Sequence, residues 1–218
     1  MEWRAGDAAL RRRADGALEL RVGGVFVMDD VETSSERLLA RTMLDGLPDP
    51  RHVLVGGLGL GYTLREILGD PRIKRVTVAE LEPAIPAWMH DGMLPGADLL
   101  TDPRVDLRIA DVREVVDATE RDDLDAILLD VDNGPGYLVH EDNAELYERP
   151  FLQRCADVLA PGGQLCVWSM AEAPELESAM QERFGRVETQ PIPVRLQGRA
   201  ESYWLVRGHG VAGDSLAP

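Results

Sequence analysis

The chain has 218 residues, 44% apolar and 28% charged, and its formal net charge is −16; this is the composition of a soluble globular domain. The acidic excess, 39 carboxylate against 23 basic side chains, excludes nucleic acid as a partner and suits a cationic small molecule, unless it serves solubility alone. No apolar run approaches the roughly 20 residues that a bilayer span needs, and no membrane partner is expected.

The start, Met1-Glu2-Trp3-Arg4, lacks the apolar centre of a secretion signal, so a cytoplasmic location is expected. Residues 8–30 read as a β-hairpin, with Ala14-Asp15-Gly16 as one turn and Gly23-Gly24 as a second before Val25-Phe26-Val27-Met28. Ser34 or Ser35 is the expected cap of a helix through Leu38, Leu39, Met43 and Leu44, which Pro48 and Pro50 end. A regular alternation follows. Strands are expected at 53–56, 75–80, 105–110, 125–130 and 164–169. Helices are expected from about 61, through 85–89, at 112–118, near 144–159 and near 174–183. Two strands, 186–194 and 202–207, close the pattern, and a frayed tail is expected from Gly208. The division is therefore an N-terminal hairpin segment (1–33), a Rossmann-like domain (34–207) and a tail (208–218). Cys155 and Cys166 read as buried free thiols. His52, His90, His140 and His209 are scattered, and no cluster has metal spacing, so no metal is expected.

Strands alternating with helices give a parallel sheet covered on both faces. The terminal helix–strand–strand piece adds an antiparallel strand. The expected fold class is α/β: a Rossmann-like, seven-stranded, mostly parallel sheet of the class I methyltransferase kind. Ligands of such sheets bind beyond the carboxyl ends of the strands. There the chain carries Gly57-Leu58-Gly59-Leu60-Gly61, directly after the run His52–Gly56. Gly57, Gly59 and Gly61 let the backbone approach a nucleoside closely. In the dinucleotide spacing Gly-x-Gly-x-x-Gly, Tyr62 or Leu64 takes the third slot, which disfavours NAD. Glu80 ends the second strand, about 20 residues later, where a carboxylate can accept from ribose hydroxyls, with Glu82 as its rival. Asp111 ends the third strand, as an adenine acceptor or a helix N-cap. Asp130 ends the fourth. Three acids at three successive strand ends point to an adenosyl site.

These pieces resemble the spermidine synthase family, the polyamine aminopropyltransferases. The resemblance rests on Gly57–Glu66, Ala79-Glu80-Leu81-Glu82, Thr101-Asp102-Pro103-Arg104-Val105, Ala110–Glu114, Leu124–Asp130, Leu146-Tyr147 and Val158–Gly163. It implies decarboxylated S-adenosylmethionine as cofactor and a polyamine acceptor. It further implies Glu80 on ribose, Asp111 on adenine and Asp130 as the first acid of an active-site loop. Three positions depart from it. Leu60 stands where the family's turn has the acid that holds the aminopropyl amine. Ser34-Ser35-Glu36 replaces a Tyr-His/Gln-Glu motif, so only Glu36 remains to contact substrate. Asn133 stands at the family's catalytic aspartate, and an amide cannot take a proton from an ammonium.

Asp130 and Asp132 are thus the candidate catalytic carboxylates. Glu36, Asn133 and Tyr147 are the candidate acceptor-binding residues, with Tyr137 and His140 as further candidates for the pocket wall. Trp168 belongs to the core or to that wall. With Leu60 in the turn, methyl transfer from S-adenosylmethionine to a small acceptor, an amine among the choices, is the first expectation. Aminopropyl transfer to a polyamine is the alternative, and a catalytically silent nucleoside-binding scaffold or sensor is another. A homodimer is compatible with the chain, which leaves the oligomeric state open.

Overall fold

Val53, Leu54 and Val55 are all buried and form the centre of a strand, with Val53 and Val55 on one face and Leu54 on the other. That strand organises the larger of two sheets. The computed structural model describes residues 1–196 and 199–211. The chain opens with an antiparallel meander of β1 (Glu2–Ala5), β2 (Ala8–Arg12), β3 (Leu18–Val22) and β4 (Val25–Asp29), in the order β1-β2-β3-β4. The sequence reading missed β1. Only Trp3 in it is even half-buried, so it lacks the alternation that marks a strand. Leu10 and Leu20 on the inner face of this small sheet are fully buried and join the main core.

Helix α1 (Ser34–Gly46) follows. Its cap differs from expectation. Ser34 and Ser35 lie inside the first turn, and the Ser34 N–H donates to the Glu32 carboxylate at 3.0 Å. Then come β5 (His52–Gly56), α2 (Tyr62–Leu68), β6 (Arg75–Glu80), α3 (Ala84–His90), the short α4 (Ala97–Leu100), β7 (Val105–Ile109), α5 (Val112–Asp117) and β8 (Leu124–Leu129). The expected helix near 144–159 is two pieces. A 3-10 helix spans Glu141–Tyr147, and α6 (Arg149–Val158) restarts with Pro150 in its first turn. Strand β9 (Leu159–Ser169) begins earlier than expected. Its Pro161-Gly162-Gly163 forms a bulge, because Leu124 pairs with Leu159 but Ala126 with Gln164. Helix α7 (Pro174–Gln181) precedes a long hairpin of β10 (Phe184–Leu196) and β11 (Arg199–Val211). The last strand therefore passes the point, Gly208, where a tail was expected; residues 212–218 of that tail lie outside the described residues.

The large sheet has the order β10-β11-β9-β8-β5-β6-β7. Strands β5 to β9 are parallel, and β11 runs antiparallel to both its neighbours. The edge strand β10 carries Pro191 and Pro193, which have no N–H to offer a further strand. Chain direction away from the centre reverses between β5 and β8, so a crevice opens at their carboxyl ends. Among the described residues, no helix is long and apolar enough to cross a membrane. Cys155 and Cys166 are both buried, and burial pushes the Cys166 thiol up to about 12.

Candidate active site

The crevice is a cavity between the large sheet and the N-terminal meander, with an empty volume of about 1220 Å³ that includes its open mouth. Its floor is the glycine turn after β5. Gly57, Gly59 and Gly61 have φ of +92°, +50° and +82°. A Cβ on Gly57 would lie 2.2 Å from the Asp130 carbonyl oxygen, and one on Gly59 would lie 2.7 Å from Met28 Sδ. Only glycine fits between β8 and the meander at these two points. The turn is also tied to β4, since the Leu60 N–H donates to Met28 Sδ at 3.3 Å.

Glu80 ends β6 and is 5% exposed. Its Oε2 accepts from the Leu58 N–H at 2.8 Å and its Oε1 from the Glu82 N–H at 2.7 Å. Burial raises its pKa, and these backbone bonds oppose the rise. The carboxylate therefore fixes the glycine turn, with the Gly59 N–H turned towards it as well, and its four lone pairs are not all taken. Asp111 does both things the sequence allows. It caps α5 by accepting from the Arg113 N–H at 2.8 Å, and it lines the cavity. Burial pushes its pKa up, but the Arg113 guanidinium, 2.6 Å away, wins and holds it low.

Asp130 follows β8. Its Oδ2 accepts from the Thr63 hydroxyl at 2.8 Å, and burial raises its pKa. Glu36, on the inward face of α1, is 8% exposed and is raised by burial and by Asp130. Asp132 has a left-handed backbone (φ 55°). Its Oδ1 accepts from the Val139 N–H at 3.0 Å, while Oδ2 is buried without a partner. The glycines, Glu36, Glu80, Asp111, Asp130 and Asp132 all line this one cavity.

Asn133 and Tyr147 sit elsewhere. Asn133 Nδ2 donates to the Phe26 carbonyl at 3.1 Å, pinning the loop after β8 to the meander, and its Oδ1 is buried without a partner. The Tyr147 hydroxyl donates to the Val131 carbonyl at 3.1 Å from behind the loop. Neither side chain is part of the cavity wall, and Tyr137 is exposed. His140 is part of it, 3.8 Å from Glu82. Trp168 and Tyr203, packed edge to face at 4.8 Å, close the far end. Leu60 is 3% exposed and packed in the core.

Sequence reasoning missed Thr63. It occupies an otherwise apolar stripe, Leu60-Thr63-Leu64-Ile67, and all four are buried. A buried hydroxyl on such a stripe needs a partner, which is the signal that points to Asp130.

The spermine/spermidine synthase domain family matches residues 32–190. Putrescine N-methyltransferase 2 of Nicotiana tabacum is 30% identical over 154 residues, covering 70% of this chain and 40% of that enzyme. Spermidine synthase 1 of Pisum sativum is 29% identical over 153 residues, covering 66% of this chain and 44% of that enzyme. The chain thus spans less than half the length of these curated relatives. Among solved structures, a spermidine synthase in complex with the transition state analogue AdoDATO superposes with a TM-score of 0.80 at 17% identity, covering 96% of this chain and 72% of that one. Spermidine synthase from Thermotoga maritima gives 0.78 at 17% identity, covering 96% and 71%. At that identity the likeness is one of fold.

Proposed function

The chain belongs to the spermine/spermidine synthase domain family, and from that premise we propose that it transfers a methyl group from S-adenosylmethionine to a small cationic amine. The observation that carries this reading is the charge of the cavity wall. Asp29, Glu32 and Glu82 join the five carboxylates of the candidate site, and His140 is the only basic side chain in the wall among the described residues. Such a wall favours cations and repels phosphates.

The glycine turn, with room for backbone only, and Glu80, with lone pairs to spare, fit an adenosyl group. Gly57, Gly59, Gly61, Glu80 and Asp111 would hold the nucleoside, with Asp130 at the reacting end. Bound there, S-adenosylmethionine supplies an electrophilic methyl carbon on a sulfonium centre. The work left to the chain is to bring a second cation close. Two unit charges about 4 Å apart repel by roughly 4 kcal/mol at an effective dielectric of 20. Glu36, Asp130 and Asp132 offset that repulsion and orient the amine. Asn133 and Tyr147 act one step removed, by holding the loop that carries Asp132 and the backbone of Val131.

Leu60 favours the full cofactor. An acid at this point of the turn would oppose the amino-acid carboxylate of S-adenosylmethionine, and a leucine packed in the core does not. The likeness to a putrescine N-methyltransferase supports the same choice. The second reading is aminopropyl transfer from decarboxylated S-adenosylmethionine, favoured by the likeness to spermidine synthase 1. Calorimetric titration with S-adenosylmethionine, its decarboxylated form and S-adenosylhomocysteine separates the two, followed by the product mass from an amine panel. Tighter binding of S-adenosylmethionine and a methylated amine are expected. Preference for the decarboxylated form would establish the second reading. Binding without turnover would make the protein a scaffold or sensor.

A further inference from the structure

We propose that Thr63 is a positioning residue: its hydroxyl ties one oxygen of Asp130 and so aims the other at the amine that is to be alkylated. The effect on an amine rests on the reading above. The aiming of Asp130 does not.

The glycine turn and the helix after it hold Asp130 from two sides. The Asp130 N–H donates to the Gly56 carbonyl at 2.9 Å, just past the last pair of β5 and β8. Its carbonyl oxygen sits so close to Gly57 that a Cβ there would lie 2.2 Å away. The main chain of Asp130 is thus wedged against the turn, and only its two side-chain torsions remain to be fixed. Thr63, in the first turn of α2, fixes them. Its Oγ1 donates to Asp130 Oδ2 at 2.8 Å, and among the described residues no other group donates to that carboxylate. Oδ1 makes no bond to the protein and is left to the cavity that Asp130 lines. Asp132 is built the other way. Its Oδ1 accepts from the N–H groups of Val139 and His140 at 3.0 and 3.4 Å, and its Oδ2 is enclosed by protein.

Packing alone does not call for a hydroxyl at position 63. Thr63 is 3% exposed, and Leu60, Leu64 and Ile67 on the same stripe are buried with it. Valine has nearly the same shape and would fill the space with no polar group to desolvate. Within helices, a threonine hydroxyl often bonds back to a carbonyl one turn earlier. This one crosses to the residue after β8, and its more distant acceptor, the Glu36 carbonyl at 3.3 Å, belongs to α1. Branching at Cβ leaves the side chain few rotamers. The hydroxyl therefore has a set direction, and the carboxylate it bonds takes its direction from it.

The test uses Thr63→Val, Thr63→Ser and Asp130→Ala. Carbon-detected NMR of the ligand-free protein should show the Asp130 carboxyl titrating at higher pH in Thr63→Val, because the lost bond favours the ionised form, and close to the parent in Thr63→Ser. An Asp130 titration unmoved in Thr63→Val would overturn the proposal. With S-adenosylmethionine and an amine, Thr63→Val should lose about ten- to a hundredfold in kcat/KM for the amine. It should bind S-adenosylhomocysteine as tightly as the parent, and Thr63→Ser should recover most of the loss. In the Asp130→Ala protein, Thr63→Val should cost nothing more, since Thr63 acts only through Asp130. An equal loss of turnover in that background, or a matching loss of S-adenosylhomocysteine binding, would make Thr63 a packing residue of α2 and overturn its positioning role. No heat on titration with S-adenosylmethionine would overturn the methyl-transfer reading and the effect on the amine with it, while the NMR titration would still decide whether Thr63 holds Asp130.

Discussion

Glu80 holds two backbone N–H groups with one buried carboxylate and faces the cavity as well. Charge-assisted hydrogen bonds of this kind are worth about 1.5–3 kcal/mol each. Glu80→Ala should therefore weaken binding of S-adenosylhomocysteine by more than about tenfold, read by calorimetry; an unchanged affinity would remove Glu80 from the site. Glu36 leads to a different prediction, one of stability. Its carboxyl ionises in the usual range in the unfolded chain, but burial, and then Asp130, lift it to about 7 in the folded protein. The folded state thus disfavours the ionised form. That penalty is absent below the usual range, grows as pH rises, and is complete above about 7. Glu36→Gln removes it. The variant should melt higher than the parent at about pH 8, by the equivalent of on the order of 1–3 kcal/mol, and alike at about pH 4. A variant melting lower at both would show that Glu36 is not held against its charge. Glu80, Asp111 and Asp130 were legible in the sequence because strand ends can be read from apolar runs. Thr63 was harder, since its partner is set by which strand lies beside α2, and that is a tertiary fact.

At the scale of elements, the loop after β8 and the meander are fastened together at Asn133. Resemblance makes Asn133 look like a catalytic aspartate that lost its charge. Its buried amide instead donates to the Phe26 carbonyl. Asn133→Asp would set a carboxylate against that carbonyl, so it should not gain activity. It should instead destabilise the protein by about 1–3 kcal/mol, measured by denaturant unfolding at neutral pH. A rise in turnover with no loss of stability would show that position 133 reaches the reacting groups. The elements themselves were mostly readable, and the exceptions have local causes. β1 has no apolar alternation. The helix near 144–159 breaks where Glu148 turns extended ahead of Arg149-Pro150, because Pro150 has no N–H to donate back to Leu146 and its ring would crowd that carbonyl in a continuous helix. The bulge in β9 looked like a turn because Gly162, at φ +81°, is shaped like one.

At the scale of the whole molecule, the charge of −16 has a local counterpart in the cavity, where, among the described residues, every charged wall residue except His140 is a carboxylate. Raising the ionic strength from roughly 0.05 to 0.5 M should weaken binding of a cationic acceptor several-fold and leave that of S-adenosylhomocysteine much less affected. Equal salt sensitivity for both ligands would deny the wall its role in choosing the acceptor. The order of the large sheet was legible as a class, since alternating strands and helices permit few topologies. The seating of the meander over the cavity was not, because nothing local in residues 1–33 says what they cover. That seating has a consequence for biosynthesis. Phe26 leaves the ribosome well before its amide partner Asn133, which lies 107 residues further along. The four strands of the meander must wait for the glycine turn and then for the loop after β8 before their inner face has a seat. A nascent chain stalled before Asn133 would hold Leu10 and Leu20 exposed to chaperones, and the cavity would be roofed only late in synthesis.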